Sequence, residues 1–311
     1  MSAPVQPLPP ATAPRPGRRF GRAGFITLLL LAPPLLWLGV VYLGSLLGLL
    51  GYGFYSIDDF TAQVVQKFTW ATFASLFTTP SNLDVIVRTV LMSVAVTLAC
   101  ALIAFPIARY VALLRGRQKA VWVLLITLPL WASYLVRVYA WRLILAQEGV
   151  LSWVLAKLHL TGLLDAALRV PVLGGPSLSS SYLGMFLVFV YVWLPYMILP
   201  LQAALERVPG SLVQASADLG ARPFQTFWRV IFPLSLPGLA AGSIFTFSLT
   251  LGDYIIPGVV GAPGYFIGQM VYTQQGTAGN LPLAAAFSVV PILIVTAYLG
   301  LARRLGAFDA L

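Results

Sequence analysis

The chain has 311 residues, of which 59% are hydrophobic and 9% charged, and its mean hydropathy is +0.89. A soluble domain of this composition would have to expose large apolar patches, so a membrane protein is predicted. The formal net charge of +10 does not indicate nucleic-acid binding. The basic residues are spread between hydrophobic stretches instead of forming the clustered face that a nucleic-acid partner needs.

The polar, proline-rich N-terminal segment has little apolar surface to bury, so residues 1–24 are predicted to be a disordered cytoplasmic tail. The hydrophobic stretch that follows is longer than a signal-peptide core and has no clear cleavage site before Tyr52. A retained membrane helix at residues 25–50 is therefore favoured over a cleaved leader.

Six hydrophobic stretches are each long enough to cross about 30 Å of hydrocarbon as a helix, which takes roughly 20 residues. The predicted fold class is all-α, a polytopic membrane protein with six transmembrane helices. The predicted spans are Phe25–Leu50, Asp84–Ala108, Ala120–Ala146, Tyr182–Leu205, Pro237–Ile256 and Leu281–Ala302.

Basic residues are distributed unequally between alternate loops. Thirteen lie on one side of the predicted spans, whereas Lys67, Lys157 and Arg169 lie on the other. By the positive-inside rule, the side with thirteen is cytoplasmic, so both termini are predicted to be cytoplasmic. The thirteen are Arg15, Arg18, Arg19, Arg22, Arg109, Arg115, Arg117, Lys119, Arg207, Arg222, Arg229, Arg303 and Arg304.

The outer loops differ in character. Residues 51–83 and 147–181 are the longer ones, and the second includes LSWVLAKLHLTGLLDAALRV, whose spacing predicts an amphipathic segment at the outer interface. Either could contact a partner outside the membrane or lie against neighbouring helices. The uncharged, glycine-containing loop Pro257–Asn280 is predicted to be irregular backbone surrounded by protein or water.

The loop between the fourth and fifth spans contains a predicted pair of short helices. Ser211 and Gln214 have capping-box spacing, so a helix is expected to begin at Leu212. Gly220 can end it by adopting left-handed backbone, and Pro223 suits the first turn of a second helix. This polar segment lies between two long hydrophobic runs, which predicts that it docks on another protein.

The first of these short helices has one apolar face with small residues in its middle, which would let a groove on another protein approach closely. The residues on that face are Leu212, Ala215, Ser216 and Leu219.

The same loop resembles that of ATP-binding-cassette (ABC) importer permeases, whose pattern is E-A-A-x3-G-x9-I-x-L-P. The spacing matches throughout, but Gln214 stands at the position of the glutamate. A salt bridge from this position to the partner is therefore not expected in this chain. The matching positions are Gln214, Ala215, Ser216, Gly220, Val230, Phe232 and Pro233. The segments WASYLVRVYAW, FVYVWLPYMILPLQAALERVP and FSLTLGDYIIPGVVG are similar to the spermidine/putrescine branch of this family.

This resemblance implies a type I ABC importer permease fold in a bacterial inner membrane. It implies a cytoplasmic ATPase dimer that binds ATP and Mg²⁺, a second permease that is a different chain, and an extracytoplasmic substrate-binding protein. The chain itself would bind no cofactor and no metal, and would catalyse no reaction. The residues expected to couple to the ATPase are Leu212, Gln214, Ala215, Ser216, Asp218, Leu219, Gly220 and Pro233.

The resemblance also suggests a division of the chain. Residues 84–304 would form the permease core, with a cytoplasmic coupling loop at residues 206–236. Residues 25–50 would be an additional peripheral helix, residues 51–83 a periplasmic loop and residues 305–311 a cytoplasmic C-terminus.

Two ionisable residues inside predicted spans are candidates for the translocation pathway, because burying a charge in a bilayer is costly. Arg137 and Asp253 are each expected roughly 25 Å from the cytoplasmic end of their helices, at 1.5 Å per residue. They could form a buried ion pair that fixes packing. Alternatively, Asp253 with Tyr254 could meet a cationic substrate, or the charge could face water at the outer mouth.

In the aromatic cluster of the third span, Tyr139, Trp141 and Arg142 near the outer end are expected to anchor the helix at the membrane interface. The deeper Trp131 and Tyr134 could line a cavity for an aliphatic amine.

The absence of a phosphate-binding G-x-x-x-x-G-K-[ST] motif indicates that the chain does not bind ATP itself. The resemblance therefore implies that this chain forms half of the pathway of an ATP-driven importer, with putrescine or spermidine as the expected solute. The alternatives are an importer for another small solute, an ion-coupled secondary transporter, for which no inverted repeat is evident, and a membrane-embedded enzyme.

Overall fold

The structure is a computed structural model that describes residues 22–58, 60–61, 63–170, 173–262 and 264–304. Its contacts divide the chain into two units, residues 1–49 and residues 50–311. The predicted tail at residues 1–24, apart from its last three residues, lies outside the described residues, and so does the predicted C-terminal segment at residues 305–311.

Most of the described residues are helical. The α-helices in chain order are α1 (Arg22–Leu36), α2 (Gly44–Tyr52), α3 (Ala71–Thr78), α4 (Pro80–Leu113), α5 (Gly116–Trp131), α6 (Tyr134–Ile144), α7 (Val150–Lys157), α8 (Thr161–Leu168), α9 (Tyr182–Glu206), α10 (Gly210–Asp218), α11 (Pro223–Thr226), α12 (Phe232–Gly252), α13 (Ile255–Val259), α14 (Ile267–Gly276) and α15 (Leu281–Arg304). Stretches of π-helix at Trp37–Leu43 and Phe227–Ile231 and a 3₁₀ turn at Leu178–Ser180 complete the helical structure.

Five helical stretches among the described residues are long and apolar enough to cross a membrane, and α5 with α6 makes six if this bent pair counts as one span. The all-α polytopic fold class is confirmed. The first of these stretches is Leu29–Tyr52, where the sequence predicted a span at Phe25–Leu50.

The third span differs from the prediction. A continuous helix over Ala120–Ala146 is wrong, because α5 and α6 are bent by 91° relative to each other. Pro129 lies in the last turn of α5 and lacks an N–H for the helix ladder. Ala132 and Ser133 then adopt extended backbone, with ψ of 144° and 137°. The expected depth of Arg137 assumed one straight helix, and the bent pair does not meet that assumption.

The centre of the second unit is formed by α4, α9 and α12, which pack on one another. Cys100 on α4 and Phe189 on α9 are fully buried. At Gly238 the backbone of α12 lies so close to α9 that an added Cβ would be 2.4 Å from Cβ of Ala204 and 2.6 Å from the carbonyl oxygen of Pro200. A glycine at this position thus lets two membrane helices touch backbone to backbone.

The loops predicted to lie on the outer side contain more regular structure than expected. In residues 51–83, strand β1 (Ser56–Ile57) pairs antiparallel with β2 (Val64–Val65), and two-residue strands are too short to show an alternating pattern. The Asp58 carboxylate accepts hydrogen bonds from the backbone N–H groups of Phe60 and Thr61, at 2.8 and 3.1 Å. These bonds, which favour the ionised form, hold the pKa of Asp58 below its usual value.

The other two outer loops also depart from the predictions. The amphipathic segment is two short helices, α7 and α8, separated at His159, whose φ is 56°. The loop Pro257–Asn280 is irregular only in part, because α13 and α14 lie within it or at its edge. The helical pattern of α14 is visible in hindsight: Ile267, Met270 and Val271 have i, i+3, i+4 spacing and pack into one hydrophobic cluster.

Candidate functional sites in the coupling loop and at the broken helices

The predicted coupling loop at residues 206–236 folds as two short helices, as its sequence predicts, but the first begins earlier. Helix α10 starts at Gly210, directly after Pro209, whose extended backbone already turns the chain. The predicted cap by Ser211 is therefore wrong, since no side chain caps this helix. A side-chain capping bond occurs instead at the start of the second helix. There the backbone N–H of Arg222 donates to Oε1 of Gln225, three residues later, at 2.9 Å.

Gly220 adopts the left-handed backbone that its position after α10 predicts, with φ of 79°. An added Cβ there would meet no atom within 4 Å. The glycine is therefore required by backbone conformation and not by crowding. After this turn α11 begins at Pro223, as predicted.

The apolar face of α10 lines an open groove of about 650 Å³. Leu219 at its end is 89% exposed, whereas Val213 on the opposite face packs against the hydrophobic core. The hydroxyl groups of Ser216 and Thr226 lie 3.0 Å apart and join α10 to α11. Of the expected coupling residues, those on the groove are Leu212, Ala215, Ser216, Leu219, Gly220 and Pro233, and Gln214 and Asp218 are exposed beside them.

At the other end of the long helices, the 91° break brings Tyr134 to Asp253. Tyr134 is the first residue of α6, and its hydroxyl donates a hydrogen bond to Oδ2 of Asp253, the residue directly after α12. Oδ1 of Asp253 accepts the backbone N–H groups of Ile255 and Ile256, at 2.7 and 3.0 Å. Both carboxylate oxygens are therefore engaged within the chain, and Asp253 is only 8% exposed.

The direct ion pair between Arg137 and Asp253 is not formed. Arg137 lies with its Cζ 5.8 Å from the centre of the Tyr134 ring, and its Nε and Nη1 have no hydrogen-bond partner among the described residues. The residue is 9% exposed. The tyrosine hydroxyl occupies the place next to the carboxylate that the guanidinium was expected to occupy.

Aromatic rings extend this site. The Tyr134 ring stacks on Trp193 of α9, with centroids 5.7 Å apart and planes 25° apart. Tyr254 stacks on Tyr272 of α14, at 5.0 Å and 14°. Tyr254 is 44% exposed, and Trp131, the last residue of α5, is 74% exposed.

The structure therefore brings Tyr134, Arg137 and Asp253 together, with Tyr254 next in the chain. It also shows two ring partners that the sequence did not single out. Trp193 lies in a segment used for the family resemblance, whereas Tyr272 lies in the loop predicted to be irregular, so only the first had a sequence signal. No group of three or more histidine, cysteine, aspartate or glutamate side chains that could hold a metal ion occurs among the described residues.

Comparisons with known proteins agree with this architecture. The family described as binding-protein-dependent transport system inner membrane component matches residues 14–306. Over 284 residues, 91% of this chain and 90% of the relative, the sequence is 60% identical to the inner membrane ABC transporter permease protein YdcU of Escherichia coli strain K12. It is 29% identical over 256 residues, 82% of this chain and 84% of the relative, to the spermidine/putrescine transport system permease protein PotB of Salmonella typhimurium strain LT2.

Solved structures show the same fold. A chain in the crystal structure of a bacterial alginate ABC transporter in complex with an alginate pentasaccharide-bound periplasmic protein matches with a TM-score of 0.67 and 15% identity, covering 91% of this chain and 96% of that one. At this identity the match concerns the fold alone.

Proposed function

The chain belongs to the family of binding-protein-dependent transport system inner membrane components and is a permease subunit of an ABC importer; on that premise, we propose that the importer carries polyamines such as putrescine and spermidine. The chain is a non-catalytic, multi-pass membrane component. Family membership also sets aside the ion-coupled transporter and the membrane enzyme as alternatives.

The observation that carries the polyamine proposal is the placement of aromatic faces beside a buried carboxylate. Tyr254 follows Asp253 directly and exposes part of a ring that is backed by Tyr272. The face of an aromatic ring attracts an ammonium group, and more strongly where water is excluded. Relatives named for spermidine/putrescine transport, at 29% identity, support the same class of solute.

The geometry suggests separate roles for the candidate pathway residues. Both oxygens of Asp253 already accept hydrogen bonds within the chain. We therefore propose that its charge attracts the cationic substrate at a distance and that Asp253 does not bond to the substrate directly. Tyr254 and Trp131 would offer exposed ring faces to the aliphatic amine. Tyr134 would hold Asp253 in place, and Arg137 would pack against Tyr134.

The partners follow from the same proposal. A cytoplasmic ATPase dimer, which binds ATP and Mg²⁺, would receive the apolar face of α10 in a groove of its own. Leu212 and Leu219, exposed by 46% and 89%, are the side chains suited to enter it. The other half of the pathway would come from a second, different permease chain, and a substrate-binding protein would dock on the outer side.

The topology proposed for this assembly has both termini and the coupling loop in the cytoplasm. Residues 84–304 would form the permease core, residues 25–50 a peripheral helix and residues 51–83 a periplasmic loop. The thirteen basic residues on one side of the spans support this orientation.

The experiment is ATP hydrolysis by the reconstituted assembly, with its binding protein, as putrescine, spermidine and unrelated solutes are added one at a time. Stimulation by a polyamine and by none of the unrelated solutes is expected. Stimulation only by another small solute would contradict the polyamine assignment and leave the permease role intact.

A further inference from the structure

An ion pair joins the beginning of α5 to the end of α9. Nζ of Lys119, the fourth residue of α5, lies 2.7 Å from Oε2 of Glu206, the last residue of α9. The other carboxylate oxygen, Oε1, accepts a hydrogen bond from Nε2 of Gln202 at 2.8 Å. Since Gln202 is only 6% exposed, its position is fixed by packing, and it holds the Glu206 carboxylate towards Lys119.

The position of this ion pair connects two regions already described. Glu206 lies four residues before Gly210, where α10 begins. Lys119 lies on α5, a helix of 16 residues and thus roughly 24 Å long, whose far end is the bend at which Tyr134 contacts Asp253. Helix α5 therefore links the entrance of the coupling loop to the outer end of α12.

The ion pair is suited to transmit position more than to stabilise the fold. Both side chains are about one-third exposed, at 34% and 31%, and exposed ion pairs contribute little to stability. A contact of this kind can be remade during a transport cycle. When it is formed, Lys119 and Gln202 each bond one oxygen of the Glu206 carboxylate, and together they fix its orientation.

We propose that Lys119, Glu206 and Gln202 form a coupling clamp, through which a displacement of α10 by the ATPase moves α5 and thereby the contact between Tyr134 and Asp253. The inference rests on the proposed function, in which an ATPase docks on α10. Lys119 and Glu206 are positioning residues in this scheme, since they act through α5 and touch no substrate.

The test measures uptake and ATP hydrolysis in the same proteoliposomes, which gives the number of solute molecules imported per ATP. Lys119→Ala and Glu206→Ala are expected to lower this ratio by about twofold to fivefold, the range that an exposed ion pair supports. The double exchange Lys119→Glu with Glu206→Lys, and the conservative Lys119→Arg, are expected to restore it.

Arg117→Ala is the matched control. Arg117 lies in the same turn, is exposed, and forms no ion pair within the described part of the chain, so the ratio should stay at the wild-type value. An unchanged ratio in both single alanine variants, or an equal loss in Arg117→Ala, would overturn the clamp.

Two further outcomes complete the test. If the doubly exchanged variant does not assemble into a complex, the Lys119→Arg variant provides the test. A ratio of solute to ATP in Lys119→Arg as low as that in Lys119→Ala would also overturn the clamp. Absence of ATP-dependent uptake by the wild-type assembly would instead overturn the proposed function and the clamp with it.

Discussion

The hydroxyl of Tyr134 donates a hydrogen bond to the carboxylate of Asp253, 119 residues further along the chain. This bond joins the start of the broken helix α6 to the end of α12. Its environment is buried, because Asp253 is 8% exposed and Tyr134 stacks on Trp193. The contact therefore ties α6, just after the break in the third span, to the packed helices at the centre of the second unit.

Replacing Tyr134 with phenylalanine should destabilise the protein. The change removes one hydroxyl and leaves a buried carboxylate oxygen without its partner, which costs about 1–3 kcal/mol. The expected result is a lower midpoint of thermal unfolding in detergent. Tyr139→Phe is the control, since Tyr139 is 52% exposed; equal midpoints for the two variants would show that the bond contributes nothing.

Replacing Asp253 with asparagine separates charge from structure. The amide oxygen of asparagine can still accept the N–H groups of Ile255 and Ile256, so the beginning of α13 is preserved, while the negative charge is lost. We expect the half-saturating polyamine concentration to rise roughly fivefold to tenfold, as the loss of about 1–1.4 kcal/mol of electrostatic attraction implies.

The measurement for this variant is uptake, with the yield of assembled complex determined in parallel. Tyr254→Phe is the companion variant and should transport normally, because it keeps the aromatic face. Normal uptake by a fully assembled Asp253→Asn complex would contradict a role for the charge in the pathway.

Replacing Gly220 with valine should disconnect the permease from its ATPase. A β-branched residue in left-handed backbone costs roughly 1–2 kcal/mol or more, so the turn after α10 should change shape although no atom blocks the new side chain. We expect uptake to be abolished while the chain still reaches the membrane. Gly210→Ala, at a glycine with equally free space and no positive φ, should leave uptake unchanged; loss of uptake in both variants would argue against the turn as the cause.

Replacing Gly238 with alanine should separate α9 from α12. The new methyl group would overlap Cβ of Ala204 and the carbonyl oxygen of Pro200, and overpacking of this kind costs about 1–3 kcal/mol. Thermal unfolding should show a lower midpoint. Gly252→Ala in the same helix meets no neighbouring atom and should be neutral or slightly stabilising, so a similar loss in both would refute the packing explanation.

The membrane helices could be predicted from the sequence because hydrophobic length is a local property. The fourth span was expected at Tyr182–Leu205 and is observed at Tyr182–Glu206; the last was expected at Leu281–Ala302 and is observed at Leu281–Arg304. In the same way, the turn at Gly220 could be predicted because one residue type is needed for its backbone.

The rest could not be predicted for physical reasons. The residues from Ala120 to Ala146 form one continuous apolar segment. Hydropathy shows how long such a segment is but not whether its helix bends, so the bend at Ala132 and Ser133 could not be predicted from it. Partners across the fold, such as Tyr134 for Asp253, depend on that bend. The carboxylate of Asp253 and the guanidinium of Arg137, at similar expected depths in the fifth and third predicted spans, suggested an ion pair. In the structure the Asp253 carboxylate accepts a hydrogen bond from the Tyr134 hydroxyl instead.

The right-angle break also has a consequence for the surrounding lipid. Helix α5 alone has 16 residues, or roughly 24 Å of length, against a hydrocarbon thickness of about 30 Å. Where α5 faces acyl chains, either the bilayer becomes thinner by several ångströms or neighbouring helices shield the remaining hydrocarbon thickness. Either adjustment carries an energetic cost. The protein is thus expected to be most stable in membranes of a particular thickness. A change in acyl-chain length would change the mismatch at α5, the helix that ends just before Tyr134.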